Sequence, residues 1–118
     1  MAKIALLILA DAETHGDLGR VVNALQIARE FLEAGDQVRI LFDGAGTRWI
    51  PKLSDPDAKG HALFLSVQEA VQGACSYCAG AFGVKEEVAA AGFRLLDEFD
   101  GHPSLRSLIL DGYQVLTF

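Results

Sequence analysis

The feature that most limits the fold is Lys3–Ala10, Lys-Ile-Ala-Leu-Leu-Ile-Leu-Ala, an apolar run of strand length without polar alternation. A strand with one wet face alternates apolar and polar side chains, whereas an unbroken run fits a central parallel strand covered on both faces. Helices must then lie on both sides of the sheet, which predicts an α/β chain. The polar segment Asp11–Leu18 comes next, at the carboxyl end of this strand, where open α/β sheets place their ligand crevice. Asp11 and His15 are candidate substrate-binding residues there, beside the plainer reading of solvated loop residues.

The rest of the chain alternates in the same way. A helix is predicted from about Gly19 to Ala34, with Val21, Ala24, Leu25, Ala28, Phe31 and Leu32 on one stripe and Gly35 as its stop. Asp36–Phe42 supplies a second strand and Asp43-Gly44-Ala45-Gly46 a turn. That turn lacks the further glycines or the Gly-Lys-Ser/Thr of a phosphate loop. Asp43 at the strand end is either a turn former or a third candidate wall of the crevice. Thr47–Leu53 reads as short helical or irregular, Ser54–Asp57 as a breaker, and His61–Val71 as amphipathic. A third strand ends at Cys75, a helix covers Ser76–Phe82, and another covers Lys85–Ala91. Phe93–Phe99 is expected as an edge strand, Asp100–Pro103 as a turn, Ser104–Leu110 as a capped helix and Tyr113–Phe118 as the last strand. Strands separated by helices in this order imply a parallel sheet, and 118 residues make one domain, 1–118.

Apolar residues make up 51% of the chain and mean hydropathy is +0.26. That content predicts self-association, with Val22, Ile27 and Trp49 as apolar groups one sheet leaves uncovered. No run is long enough to span a bilayer and Met1-Ala2-Lys3 has no signal-peptide layout, so a cytoplasmic protein with reduced thiols is expected. The 10 basic and 16 acidic residues give a net charge of −6 without long like-charge runs. This balance argues against a nucleic-acid surface.

Both cysteines fall in Gly73-Ala74-Cys75-Ser76-Tyr77-Cys78-Ala79-Gly80. At the strand-to-helix junction, free N–H groups and the helix dipole favour a thiolate. Cys75 is therefore expected to titrate below the ~8.5 of a free cysteine and ahead of Cys78, one turn further in. At i and i+3 on a helix their Cβ atoms lie about 5–6 Å apart, against the ~3.5–4.5 Å of a disulfide, so a modest adjustment closes the pair. Three readings compete: buried apolar filler, a redox or sulfur-handling pair, and zinc. Zinc sites usually add a second cysteine pair or closely spaced histidines. His15, His61 and His102 are scattered, which disfavours zinc, and no cofactor or metal is expected. His102, before a proline in a turn, reads as a structural or surface histidine.

Cys75 at the end of the third strand, Ala-Gly-Ala-Phe-Gly-Val at 79–84 and the closing Gly-Tyr-Gln-Val-Leu-Thr-Phe at 112–118 together resemble the DsrE-like family, which includes the TusD and DsrE sulfur-carrier subunits and the YchN-type proteins. The resemblance covers essentially the whole chain. It implies a three-layer α/β/α domain with a five-stranded parallel sheet in the order 4-3-2-1-5, assembled into homo-oligomers such as trimers or hexamers. It also implies a persulfide carrier or sulfurtransferase working between sulfur-donor and sulfur-acceptor proteins. In those carriers a cysteine at the end of the third strand accepts the sulfur, and the matching position is Cys75. Cys78 has no counterpart there; beside Cys75 it is a candidate resolving thiol. The rival reading is a non-catalytic oligomeric binding or regulatory module with structural or redox-sensing cysteines.

Overall fold

The computed structural model describes the whole chain, Met1–Phe118. Strand β1 (Lys3–Ile8) sits between β2 (Gln37–Phe42) and β5 (Gln114–Thr117), pairing in parallel with both. β3 (Val71–Cys75) adds to β2, and the two-residue β4 (Leu95–Leu96) adds to β3. The sheet order is therefore β4-β3-β2-β1-β5, all parallel, as the resemblance implies. Residues Ile4 to Ile8 are all buried, the two-sided covering that their unbroken apolar run predicts.

On one face Ile4, Leu6, Ile8, Ile40 and Phe42 pack in one core with α1 (His15–Glu33), α2 (Trp49–Ser54), α3 (His61–Val67) and Val88 of α5 (Lys85–Ala90). Ala5, Leu7 and Leu41 point the other way, towards Leu108 of α6 (Leu105–Leu110) and Tyr113. The second layer is thus thin. Leu6 has no exposed surface, so truncation to alanine would cost about 2–5 kcal/mol.

One boundary and the placing of several apolar side chains differ from expectation. α1 begins at His15 rather than Gly19, because Thr14 and Asp17 form a capping box. Thr14 Oγ1 accepts from the Asp17 N–H at 3.1 Å, and the Asp17 carboxylate accepts from the Thr14 N–H at 3.0 Å. Trp49 is 4% exposed, and its indole N–H donates to the Ala10 and Asp11 carbonyls at 3.0 Å. Ile27 packs against the core and Val22 is half-buried. None of the three is the uncovered apolar group expected of it. Beyond the terminal Met1, the most exposed apolar side chains are instead Tyr77, Phe99, Ile109 and Leu110, each at least 60% exposed. No helix is long and apolar enough to cross a membrane.

Two glycines fix the chain around the strand ends. A side-chain carbon on Gly46 would overlap the Ile8 carbonyl oxygen, so only glycine lets the turn after β2 lie against the end of β1. Gly73 has φ +150° and its missing Cβ would overlap the Arg94 carbonyl oxygen. It comes directly after a register shift in the β2–β3 pairing, where Ile40 faces Val71 but Leu41 faces Gly73. Such a bulge, with Gln72 as the additional residue, bends the strand and re-aims its carboxyl end. Cys75 stands at that end.

Candidate functional site

Three carboxyl-end segments of the sheet meet at one place. The end of β2 contributes Asp43, the junction of β3 with α4 (Ser76–Ala81) contributes Cys75 and Cys78, and the turn after β4 contributes His102. The carboxylate oxygen, both Sγ atoms and an imidazole nitrogen lie within 4.8 Å of one another. Cys75 is fully buried; the other three are half-buried.

Three of the four groups have anchors of their own. Asp43 Oδ1 accepts from the Gly44 N–H at 2.8 Å, capping the 3-10 turn Gly44–Arg48. It is therefore the turn former, one of the two readings its sequence left open, and its carboxylate also lies beside the cysteines. Cys75 caps α4, its Sγ accepting from the Cys78 N–H at 3.4 Å. His102 is placed by a tight turn in which Phe99 and His102 exchange backbone hydrogen bonds at 2.8 and 2.9 Å. Between them Asp100 and Gly101 both have positive φ, 53° and 85°. An Asp-Gly pair is the preferred chemistry for such a turn. The Gly101 carbonyl accepts from the Tyr77 N–H at 2.9 Å, tying the turn to the start of α4. The imidazole rests on the Tyr77 ring, centroids 5.0 Å apart, and its Nδ1 lies 3.3 Å from Cys75 Sγ.

The electrostatics of Cys75 reverse the expectation drawn from the helix end. Burial pushes the thiol up, to about 12, against the lowering effect of the Cys78 N–H, and the Asp43 carboxylate adds to the rise. A six-residue helix offers one useful N–H here, and that contact does not replace the water lost on full burial.

Asp11 and His15 lie elsewhere. Asp11 Oδ1 accepts from Arg48 Nη1 at 2.8 Å and from the Ala12 N–H at 2.6 Å, bracing the loop after β1. Arg48 also reaches Glu13 at 3.1 Å, and these two carboxylates hold its guanidinium above its ordinary pKa. His15 is exposed on the first turn of α1, in an open cleft of about 400 Å³ with Trp49 and Lys52. Neither joins the cysteines. His102, set aside as structural from its turn, does join them. The one signal for it in the sequence is Asp100-Gly101, a turn able to fold the next residue back on the chain.

No family model matches the chain. It is 28% identical over 115 residues to the uncharacterized protein MJ0733 of Methanocaldococcus jannaschii, spanning 97% of this chain and 93% of that one. Among solved structures it is similar to a conserved protein of unknown function, BT1422, from Bacteroides thetaiotaomicron, with a TM-score of 0.64 and 17% sequence identity over 97% of this chain and 94% of the other. At that identity the likeness establishes the shared α/β architecture and leaves the chemistry to be argued from the cluster itself.

Proposed function

We propose that this chain handles sulfane sulfur on its Cys75–Cys78 pair, as a persulfide carrier or sulfurtransferase of the reducing cytoplasm. The observation that carries the reading is the contact of Cys75 Sγ with His102 Nδ1 at 3.3 Å, one helical turn from a second thiol. The resemblance to DsrE-like chains supports it. Burial favours a division of labour opposite to the one expected from sequence: half-buried Cys78 is the thiol a donor meets first, and buried Cys75 stands behind it.

In the forward step the Cys78 thiolate attacks the outer sulfur of a donor persulfide. The donor S–S bond breaks, the donor leaves as a thiolate and takes up a proton, and Cys78 carries the persulfide. An acceptor thiolate attacking that outer sulfur completes a carrier cycle with no net oxidation. Release as sulfide uses the second thiol. Cys75 gives its proton to His102 Nδ1 and attacks the inner sulfur, hydrosulfide departs, and the resulting Cys75–Cys78 disulfide is returned to two thiols by a dithiol reductant. His102 acts here as general base, in the tautomer that leaves Nδ1 unprotonated.

Intact-mass measurement after incubation with a small persulfide donor, chelator present, tests this. Cys75→Ser gains one or more sulfur atoms and keeps them because the releasing thiol is gone, Cys78→Ser gains none, and wild type carries the added sulfur or, after release, the disulfide with two hydrogens fewer. A Cys75→Ser protein that takes up no sulfur ends the sulfur reading; equal loading of Cys75→Ser and Cys78→Ser ends the assignment to Cys78.

The same reading includes self-association into a trimer or hexamer. Its support is the family resemblance and the exposed Tyr77, Phe99, Ile109 and Leu110.

A further inference from the structure

We propose that Asp43, Cys75, Cys78 and His102 form a four-ligand site for a zinc-type divalent cation. The donors are two thiolate sulfurs, one imidazole nitrogen and one carboxylate oxygen, a set that suits borderline zinc rather than calcium or magnesium, which take oxygen shells. The sequence disfavoured zinc because its histidines are far from the cysteine pair along the chain. The fold removes that objection by bringing His102 and Asp43 to it.

Size and anchoring both fit. With metal–sulfur bonds near ~2.3 Å and metal–nitrogen or –oxygen bonds near ~2.0–2.2 Å, neighbouring donor atoms in a tetrahedron lie about 3.3–3.8 Å apart. Cys75 Sγ and His102 Nδ1 are already 3.3 Å apart, and no pair in the cluster exceeds 4.8 Å. Closing on an ion therefore takes about 1 Å for the widest pair, within reach of side-chain rotation alone. Three of the four ligands also carry contacts that orient them. Asp43 Oδ1 accepts the Gly44 N–H, Cys75 Sγ accepts the Cys78 N–H, and the His102 ring lies on Tyr77. Two sulfurs and a carboxylate gathered in one half-buried place repel each other when ionised. A divalent cation converts that repulsion into ligation.

Ligation needs no persulfide, so the site stands apart from the sulfur reading, and the sulfur test is run with chelator. Metal-stripped, reduced protein is titrated with zinc chloride against a chromophoric chelator, and separately with cobalt(II) to record its spectrum. One ion per chain is expected, with sulfur-to-cobalt charge-transfer absorption and both cysteines protected from alkylation. Cys78→Ser and His102→Ala, each half-buried and checked for fold by circular dichroism, should each weaken binding at least about 100-fold. Failure of the wild type to take up one ion, or a cobalt spectrum without the thiolate band, overturns the site. So does wild-type affinity in either variant. If a variant fails to fold, the wild-type stoichiometry and spectrum decide alone.

Discussion

Cys75 Sγ and His102 Nδ1 lie 3.3 Å apart although 27 positions separate them in the chain. The approach is made by the backbone rather than by long side chains: a bulged strand end aims the thiol, and a tight turn with two positive φ values brings the imidazole back over the first turn of α4. Rigid backbone positioning of this kind makes the site sensitive to changes beyond its own four residues.

Alkylation with peptide mapping at neutral pH should label Cys78 well ahead of Cys75. Cys75 is buried and its thiol is pushed up to about 12, and the thiolate is the reactive form. Cys75 should become labelled only in strongly alkaline solution or on unfolding. Equal labelling at neutral pH would mean that α4 opens far more readily than its packing implies.

Gly101→Ala should lower stability by about 1–2 kcal/mol, since φ is +85° at this position and a side chain there is strained. Space is not the issue, because the added carbon would meet Tyr77 Cβ at an ordinary 3.7 Å. Urea denaturation measures the loss. A change under a few tenths of a kcal/mol would show that the turn relaxes, and His102 with it.

Acid should weaken the start of α1 before it weakens the core. The Asp17 carboxyl is held below its ordinary 3.8, chiefly by the Thr14 N–H, with that of Glu13 and the Thr14 hydroxyl adding to it. A lowered folded-state pKa stabilises above the unfolded value, and the benefit is lost as pH falls through the folded value. Asp17→Asn should thus be less stable than wild type at neutral pH, with the gap closing below about pH 4. Thr14→Ala should cost about 0.5–2 kcal/mol at neutral pH. A wild-type-to-Asp17→Asn gap that does not change with pH would contradict the capping box.

Light scattering at micromolar concentration should report a mass well above the 12.7 kDa of one chain. Phe99→Ser and Leu110→Ser together, at positions 71% and 67% exposed, should shift the protein towards that single-chain mass. A wild-type mass near 12.7 kDa rules out association.

The sequence alone determined the parallel sheet and its central strand, because burial on two faces leaves its mark directly in the residue pattern: Ile4 to Ile8 are all apolar and all buried, and the stripe of Val21, Ala24, Leu25 and Ala28 matches one helix face. Local chemistry also marked Gly35, Asp43, Cys75 and Ser104 as ends or caps, since these roles depend on neighbours within a few residues. Even local signals failed where two meanings shared a residue type, as when Asp11–Leu18 read as a polar loop and concealed the Thr14–Asp17 cap. Tertiary structure decided the rest. Whether Trp49 is covered, whether Cys75 is activated or silenced by burial, and whether His102 belongs to the surface or to the cysteines depend on segments distant in sequence. Periodicity and capping report only neighbours along the chain. The meeting of Asp43, Cys75, Cys78 and His102 is set by strand order, by the bulge before Gly73 and by the turn at Asp100-Gly101, and those act together only once the sheet has formed.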